Sequence, residues 1–247
     1  MFRVVTWNVH GARDGNGASF DLGRYLRAED PDLVCLQEFD FDSVAGVGPQ
    51  SLGNLLGLHH VASWPLEPSV HTTGGRMGLV VASRWPHLRV SRLLANNPGL
   101  TQVAGNRTLV SHDKGALVVD VKISERLLAF SGLHLLPFRF FDEVVDVEVQ
   151  ELLTWIELRA RIMKSREDFH HIIAGDFNFS LHEGPAGDEQ AHPPLNLSLK
   201  GATRTSGASH DDVLHTSGLL LENVEMRLTP SDHFLCICDF SISEGSW

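Results

Sequence analysis

Short apolar runs of strand length fill most of this chain, and they constrain its fold more than any other feature. Residues 2–8 alternate as a half-buried strand, and DLVCLQE reads as a buried one. Further runs cover 58–64, 77–84, 87–94, 106–111, 115–123, 127–134, HHIIAGD, 211–216, 219–227 and 234–242. Gly, Pro, Asn and Asp punctuate them at the spacing expected of sheets. Helical periodicity is scarce. Ser19 is placed to cap a short helix with Phe20, Leu22 and Leu26 inward, and Leu52, Leu55 and Leu56 mark another after Pro49. One long helix is expected over 142–165, with Val145, Val149, Leu152, Ile156 and Met163 as its apolar stripe. About a dozen strands and few helices predict two sheets packed face to face, with helices on the outer surfaces. The stretch 180–209 has little periodicity and reads as a long surface loop.

The strands have polar ends. Asn8 closes TWN, Glu38 closes DLVCLQE, and His134 closes FSGLH. Asp176 and Asn178 close IIAGDFN, and Asp232 and His233 open the last strand. Burying such groups unpaired costs several kcal/mol, so packing rarely explains them. Five segments ending this way imply one shared site at one edge of the sandwich, with the chemistry of a hard divalent cation beside a carboxylate–histidine set.

Each motif also has a plainer reading. Asp176 and Asn178 can form an Asx-type turn leaving a strand. Ser231, Asp232 and His233 can be a polar turn after Pro230. Phe138, Arg139, Phe140 and Phe141 can wall the site or staple the entry of the long helix. Gly11, beside Asn8, permits close backbone approach. The pairs His59–His60 and His170–His171 lie away from the motifs.

With 247 residues, 43% of them hydrophobic, the chain can bury one large core, so residues 1–247 are expected to form a single domain. The net charge of −11 offers no general attraction to nucleic acid or an anionic membrane. Cys35, Cys236 and Cys238 are an odd set in apolar strands and are expected to be reduced core residues. No apolar run approaches the about 20 residues of a membrane span. FRVVTWN runs directly into a strand with no signal-like segment, so the cytoplasm is the expected compartment.

In order, TWNVHG, DLVCLQE, GGRMGLVVASRWP, FSGLHL, IIAGDFN, HDDVL and SDH resemble the endonuclease/exonuclease/phosphatase superfamily, with its DNase I-like fold. The resemblance runs from residue 3 to about 240, and LQE, GDFN and SDH are its most specific elements. It implies an α/β (α+β) fold, a four-layer αββα sandwich of two mixed β-sheets with outer helices. It implies Mg²⁺ or Mn²⁺ as cofactor, with Glu38 as the principal metal ligand, Asn8 near the metal and phosphate, and Asp232 on the metal side. Asp176 would position or deprotonate the attacking water. Asn178 and His134 would contact the phosphate. His233 would stabilise the transition state or act as acid/base, with Asp211 orienting it and Asp212 as the alternative. Arg76, Arg107 and Arg139 are the expected substrate contacts, with Lys114 and Arg204 as further candidates.

His10 and His134 depart from the abasic-site endonuclease pattern, in which those places hold Asp and Tyr. A metal-side carboxylate is therefore missing. The expected activity is metal-dependent hydrolysis of phosphodiesters by direct water attack, carried out by a monomer on a short footprint of nucleic acid or a small phosphate ester. The rival readings are a small-molecule or lipid phosphatase of phospholipase C type, acting on an inositol phosphate or a sphingomyelin-like lipid, and a non-catalytic binding module.

Overall fold

The computed structural model describes residues 1–42, 47–164, 166, 168–178, 195–197 and 211–242. Two six-stranded mixed sheets pack face to face. The first has strands β1 (Phe2–Asn8), β2 (Leu33–Asp40), β3 (His60–Pro68), β4 (Arg76–Ser83), β13 (Leu219–Arg227) and β14 (Leu235–Ile242), in the order β13-β14-β1-β2-β4-β3. The second has β5 (Arg89–Leu94), β8 (Gly115–Ile123), β9 (Arg126–His134), β10 (His170–Asp176), β11 (Leu195–Leu197) and β12 (Asp211–Thr216), in the order β11-β12-β10-β9-β8-β5. A separate hairpin joins β6 (Thr101–Ala104) to β7 (Arg107–Val110).

The sheets share one plan. Each centres on a parallel pair, β1 with β2 and β9 with β10, flanked by antiparallel strands. Strand alternation sorts the side chains. Val4, Cys35, Phe130, Ala174 and Val213 face the other sheet and form the central core. Val5, Trp7, Val34 and Leu36 face outward under two helices, α1 (Leu22–Arg27) and α2 (Pro49–Leu55). Val118, Leu133, Ile173 and Leu214 pack under α3 (Val147–Met163). These are the four layers expected.

Several local expectations shift. Asp21 caps α1, its carboxylate accepting from Arg24 N, while Ser19 bridges to Arg13. Leu52 and Leu56 are buried, but Leu55 is exposed. The α3 stripe is only partly as expected: Met163 is buried, but the rest of the buried face lies elsewhere. Thr154, Leu158 and Ile162 face the sheet, whereas Val149 and Ile156 are exposed. Apolar residues surround this helix on several sides, so the sheet surface selects the buried face. Val145 and Val147 pack with Phe138 and Phe141 in a separate cluster, so Phe141 is the staple and Phe140 remains exposed. Strand β6 has almost no apolar signal in TQVA. Gln102 ties it to Asp142 and to Glu143 N. Within the expected 180–209 loop, β11 pairs with β12, and the rest lies outside the described residues, as does Arg204. Cys35, Cys236 and Cys238 are buried and form no disulfide.

Candidate active site

The C-terminal ends of the two parallel pairs meet at one edge of the sandwich. Asn8 pairs with Gln37 in the first sheet, and Asp176 pairs with His134 in the second. Asn8, His134 and Asp176 fall on the alternation that carries Val4, Phe130 and Ala174, so all three face the gap between the sheets. Gly175 allows this packing: its φ is +147°, and a Cβ there would lie 2.0 Å from Leu133 O.

Glu38 arrives differently. Strict alternation would put it beside Val34 and Leu36, on the outer face. The register shifts between Leu36 and Phe39, and Glu38 adopts φ 52°. The bulge turns its carboxylate inward. His10 (φ 46°) and Asn178 (φ 59°) share this left-handed conformation, so three strained non-glycine residues surround the site. Gly11, with φ +63°, leaves room for His71, whose ring a Cβ would meet at 2.3 Å.

The amide of Asn8 bridges two carboxylates across the sheets. Nδ2 donates to Glu38 Oε1 at 3.2 Å and to Asp176 Oδ2 at 3.1 Å. Its Oδ1 accepts from His10 N at 3.1 Å, which fixes the amide's orientation. A flipped amide would set two donors against each other. In this arrangement Asn8 offers the two carboxylates a donor.

His10 Nδ1 lies 3.2 Å from Glu38 Oε2 and 3.9 Å from Asp232 Oδ1. The Glu38 hydrogen bond raises the His10 pKa, outweighing burial. Burial pushes Glu38 upward, but the bond from His10 and the nearby His134, Lys114 and Asn8 outweigh it, so its carboxyl sits well below the usual range. Asp232 stands at the open rim, its side chain 62% exposed.

Two histidines flank Asp176. His134 Nε2 is 3.7 Å from Asp176 Oδ2 and 3.8 Å from Glu38 Oε1. Burial, with the Lys114 ammonium beside it, keeps His134 neutral. His233 Nε2 lies 3.8 Å from Asp176 Oδ2, and its Nδ1 is 2.8 Å from Asp211 Oδ2. Burial alone would lower the His233 pKa, but Asp211, then Asp176 and Asp232, lift it to about 10. Asp176 is itself raised, by burial and by the Asp211 charge, with His233 opposing.

Asp211 and Asp212 face opposite ways. Asp211 shares the face of Val213, toward the other sheet, and meets His233 there. Asp212 shares the face of Leu214, and its Oδ1 accepts from Val213 N at 2.7 Å. Ser231 sets the SDH turn against β1. Its hydroxyl takes the Trp7 indole N–H and donates to Asn8 O.

Asn178 is pinned. Its Nδ2 donates to Leu135 O at 2.8 Å, and Arg139 Nη1 donates to its O and Oδ1 at 2.9 and 3.1 Å. Arg139 also stacks over Phe140, 4.8 Å from the ring centroid. Arg76 and Arg107 are exposed at the starts of β4 and β7, and neither guanidinium is hydrogen-bonded to the cluster among the described residues. Lys114, a candidate phosphate contact by sequence, is instead buried behind His134 and paired with Glu67. Glu67 gave no signal, because the apolar run was expected to end at 64. In the sequence His10 stands out only as a departure from the abasic-site endonuclease pattern.

Asp176, Asp211 and His233 offer ligand atoms within 4.8 Å of one another. Asp211 and His233 are already bonded to each other there. Glu38, ionised and facing the same gap, is the better anchor for a cation. Four carboxylates converge, Asp211 Oδ1 is buried without a hydrogen bond, and burial together with the Asp211 charge raises Asp176. An oxygen-rich, repulsive set of this kind fits a hard divalent ion.

The family model for the endonuclease/exonuclease/phosphatase family matches residues 5–233. A comparison with curated protein sequences returns no significant match. Among solved structures, an endonuclease/exonuclease/phosphatase from Beutenbergia cavernae superposes with a TM-score of 0.68 at 19% identity, covering 98% of this chain and 71% of that one. The human Nocturnin catalytic domain with bound sulfate gives 0.64 at 19%, covering 98% and 93%. A Bacteroides thetaiotaomicron mannosyl-6-phosphatase gives 0.61 at 12%, covering 98% and 100%. At these identities the structural likeness concerns the fold.

Proposed function

The chain belongs to the endonuclease/exonuclease/phosphatase family and is a phosphoric ester hydrolase, and from that premise we propose that it is a single-domain, divalent-metal-dependent phosphodiesterase with a short substrate footprint. The observation that carries the reading is the placement of Asp176. Its buried carboxylate lies 3.8 Å from a His233 imidazole that Asp211 holds from behind, and Asn8 ties it to Glu38.

Glu38 would hold Mg²⁺ or Mn²⁺, with Asp232 at the rim on the same side. The cation, when bound, supplies Lewis-acid polarisation of the phosphate oxygens. Asp176 takes the proton of the attacking water as the new P–O bond forms. His233, kept as an imidazolium by Asp211, stabilises the charge gathering on the phosphorane-like transition state and supplies a proton as the ester P–O bond breaks. His134 donates from Nε2 to a phosphate oxygen, and Asn178, fixed by Leu135 and Arg139, contacts another. Asn8 sets the spacing of Glu38 and Asp176 rather than reacting.

The short footprint rests on charge. The chain carries a net charge of −11, and Arg139 is the expected substrate arginine tied to the cluster. A panel assay with Mg²⁺ or Mn²⁺, with and without EDTA, tests the reading. It covers single- and double-stranded DNA, RNA, a bis-aryl phosphate, inositol phosphates and sphingomyelin. EDTA-sensitive cleavage of short oligonucleotides or the bis-aryl ester is the expected result. Turnover confined to phosphomonoesters or to sphingomyelin would move the assignment to the phosphatase or phospholipase C type.

A further inference from the structure

Lys114 and Glu67 lie behind His134, and the hydrolytic steps above give them no task. Lys114 immediately precedes β8 in the second sheet and is 7% exposed, and Glu67 sits on β3 in the first and is 6% exposed. Lys114 Nζ is 2.5 Å from Glu67 Oε1 and 3.2 Å from His134 Nδ1. A buried ion pair is weak evidence for stability, since desolvation offsets much of its attraction. The third contact is the informative one.

An ammonium has three hydrogens and no lone pair. It can hydrogen-bond to an imidazole nitrogen only when that nitrogen accepts. Nδ1 of His134 must therefore carry its lone pair, and the ring proton belongs on Nε2, the nitrogen that faces Glu38 and Asp176. The neighbouring histidine is wired the opposite way. A carboxylate, Asp211, meets His233 Nδ1 and requires a proton there. One imidazole is thus set by an anion for proton transfer, and the other by a cation for donation alone.

We infer that Lys114, held by Glu67, is a positioning residue that locks His134 as the neutral Nε2–H tautomer, so that His134 serves the phosphate only as a hydrogen-bond donor and never as a base. This rests on the reading of His134 as a phosphate contact. Histidine at this strand end would otherwise be free to take either tautomer. Only one of them offers a donor to a phosphate oxygen between the two carboxylates. The lock also explains why the pair reaches between the sheets. Glu67 offsets the ammonium charge and keeps Nζ against Nδ1.

The test is a long-range ¹H–¹⁵N spectrum of the histidine-labelled, metal-free full chain, with steady-state kinetics alongside. In the wild type, His134 should show a protonated Nε2 and an unprotonated Nδ1. In the double variant Glu67→Gln/Lys114→Met, which leaves no unpaired buried charge, the Nδ1–H form should appear. There kcat should fall about tenfold, the scale of one hydrogen bond to a charged group, with KM little changed. Lys114→Arg should keep the wild-type tautomer and recover most of the turnover. A proton on Nδ1 in the wild type overturns the inference, and that spectrum needs no variant to fold. So does a double variant with the tautomer or kcat unchanged. Undiminished turnover in His134→Ala would instead remove His134 from the phosphate, and with it the functional reading on which the lock depends, while the tautomer itself could still be as inferred.

Discussion

His233, partly exposed, and Asp211, buried, pair across the gap between the sheets, with Nδ1 2.8 Å from Oδ2. The pair makes stability depend on pH. Burial opposes the shift, but Asp211, helped by Asp176 and Asp232, raises the folded His233 pKa to about 10, above its ordinary value of 6.5. The pair's contribution is therefore fully present below 6.5 and is lost as pH rises through about 10. In the metal-free protein, the gap in urea midpoint between wild type and Asp211→Asn should be wide at pH 6 and narrow above pH 10. A gap that does not change with pH would mean the pair is not charged in the folded state.

Glu38 is expected to anchor the metal. Glu38→Gln preserves shape and removes the negative charge, so titration calorimetry should show much weaker Mg²⁺ or Mn²⁺ binding, with most activity gone and the circular dichroism spectrum retained. Unchanged affinity would move the anchor to the Asp176–Asp211 side of the cluster.

Asp176 and His233 should matter to the chemical step. A positioned acid or base contributes about 10²–10⁴-fold. Asp176→Asn and His233→Ala should each lower kcat by at least a hundredfold on that scale, with KM little altered. Asp176 is raised, so activity should climb with pH as it ionises and decline again as His233 loses its proton. The Asp176→Asn variant should lack the acidic limb. Near-normal turnover in either variant would take that residue out of the mechanism.

Arg139 should act through Asn178, which it grips by two bonds. Arg139→Ala should cut kcat/KM about tenfold, the scale of a hydrogen bond to a charged group, while Arg107→Ala should do little. Activity on oligonucleotides should fall gently with salt. A slope implying six or more phosphate contacts on long duplex DNA would restore a duplex nuclease.

Much of the architecture was legible because a strand's signal is local. The alternation of FRVVTWN and the apolar run of DLVCLQE announce their strands without a partner. The polar residue closing each run marks the edge where strands end. The phase of α3 was not legible. Val149 and Ile156 look as apolar as Leu158 and Ile162, and only the surface of the second sheet chooses between them.

By itself the sequence determined most of the strands, their polar ends and the family motifs. These are properties of neighbours along the chain, fixed by side-chain period and turn chemistry. Tertiary structure decided which polar groups meet. Glu38 reaches the site only because a bulge breaks its alternation, and Asp211 rather than Asp212 meets His233 because of the face it shares with Val213. Glu67 on β3, Lys114 just before β8 and His134 at the end of β9 come together from two sheets. Contacts of that kind depend on how whole strands register and stack, which no run of neighbouring residues encodes.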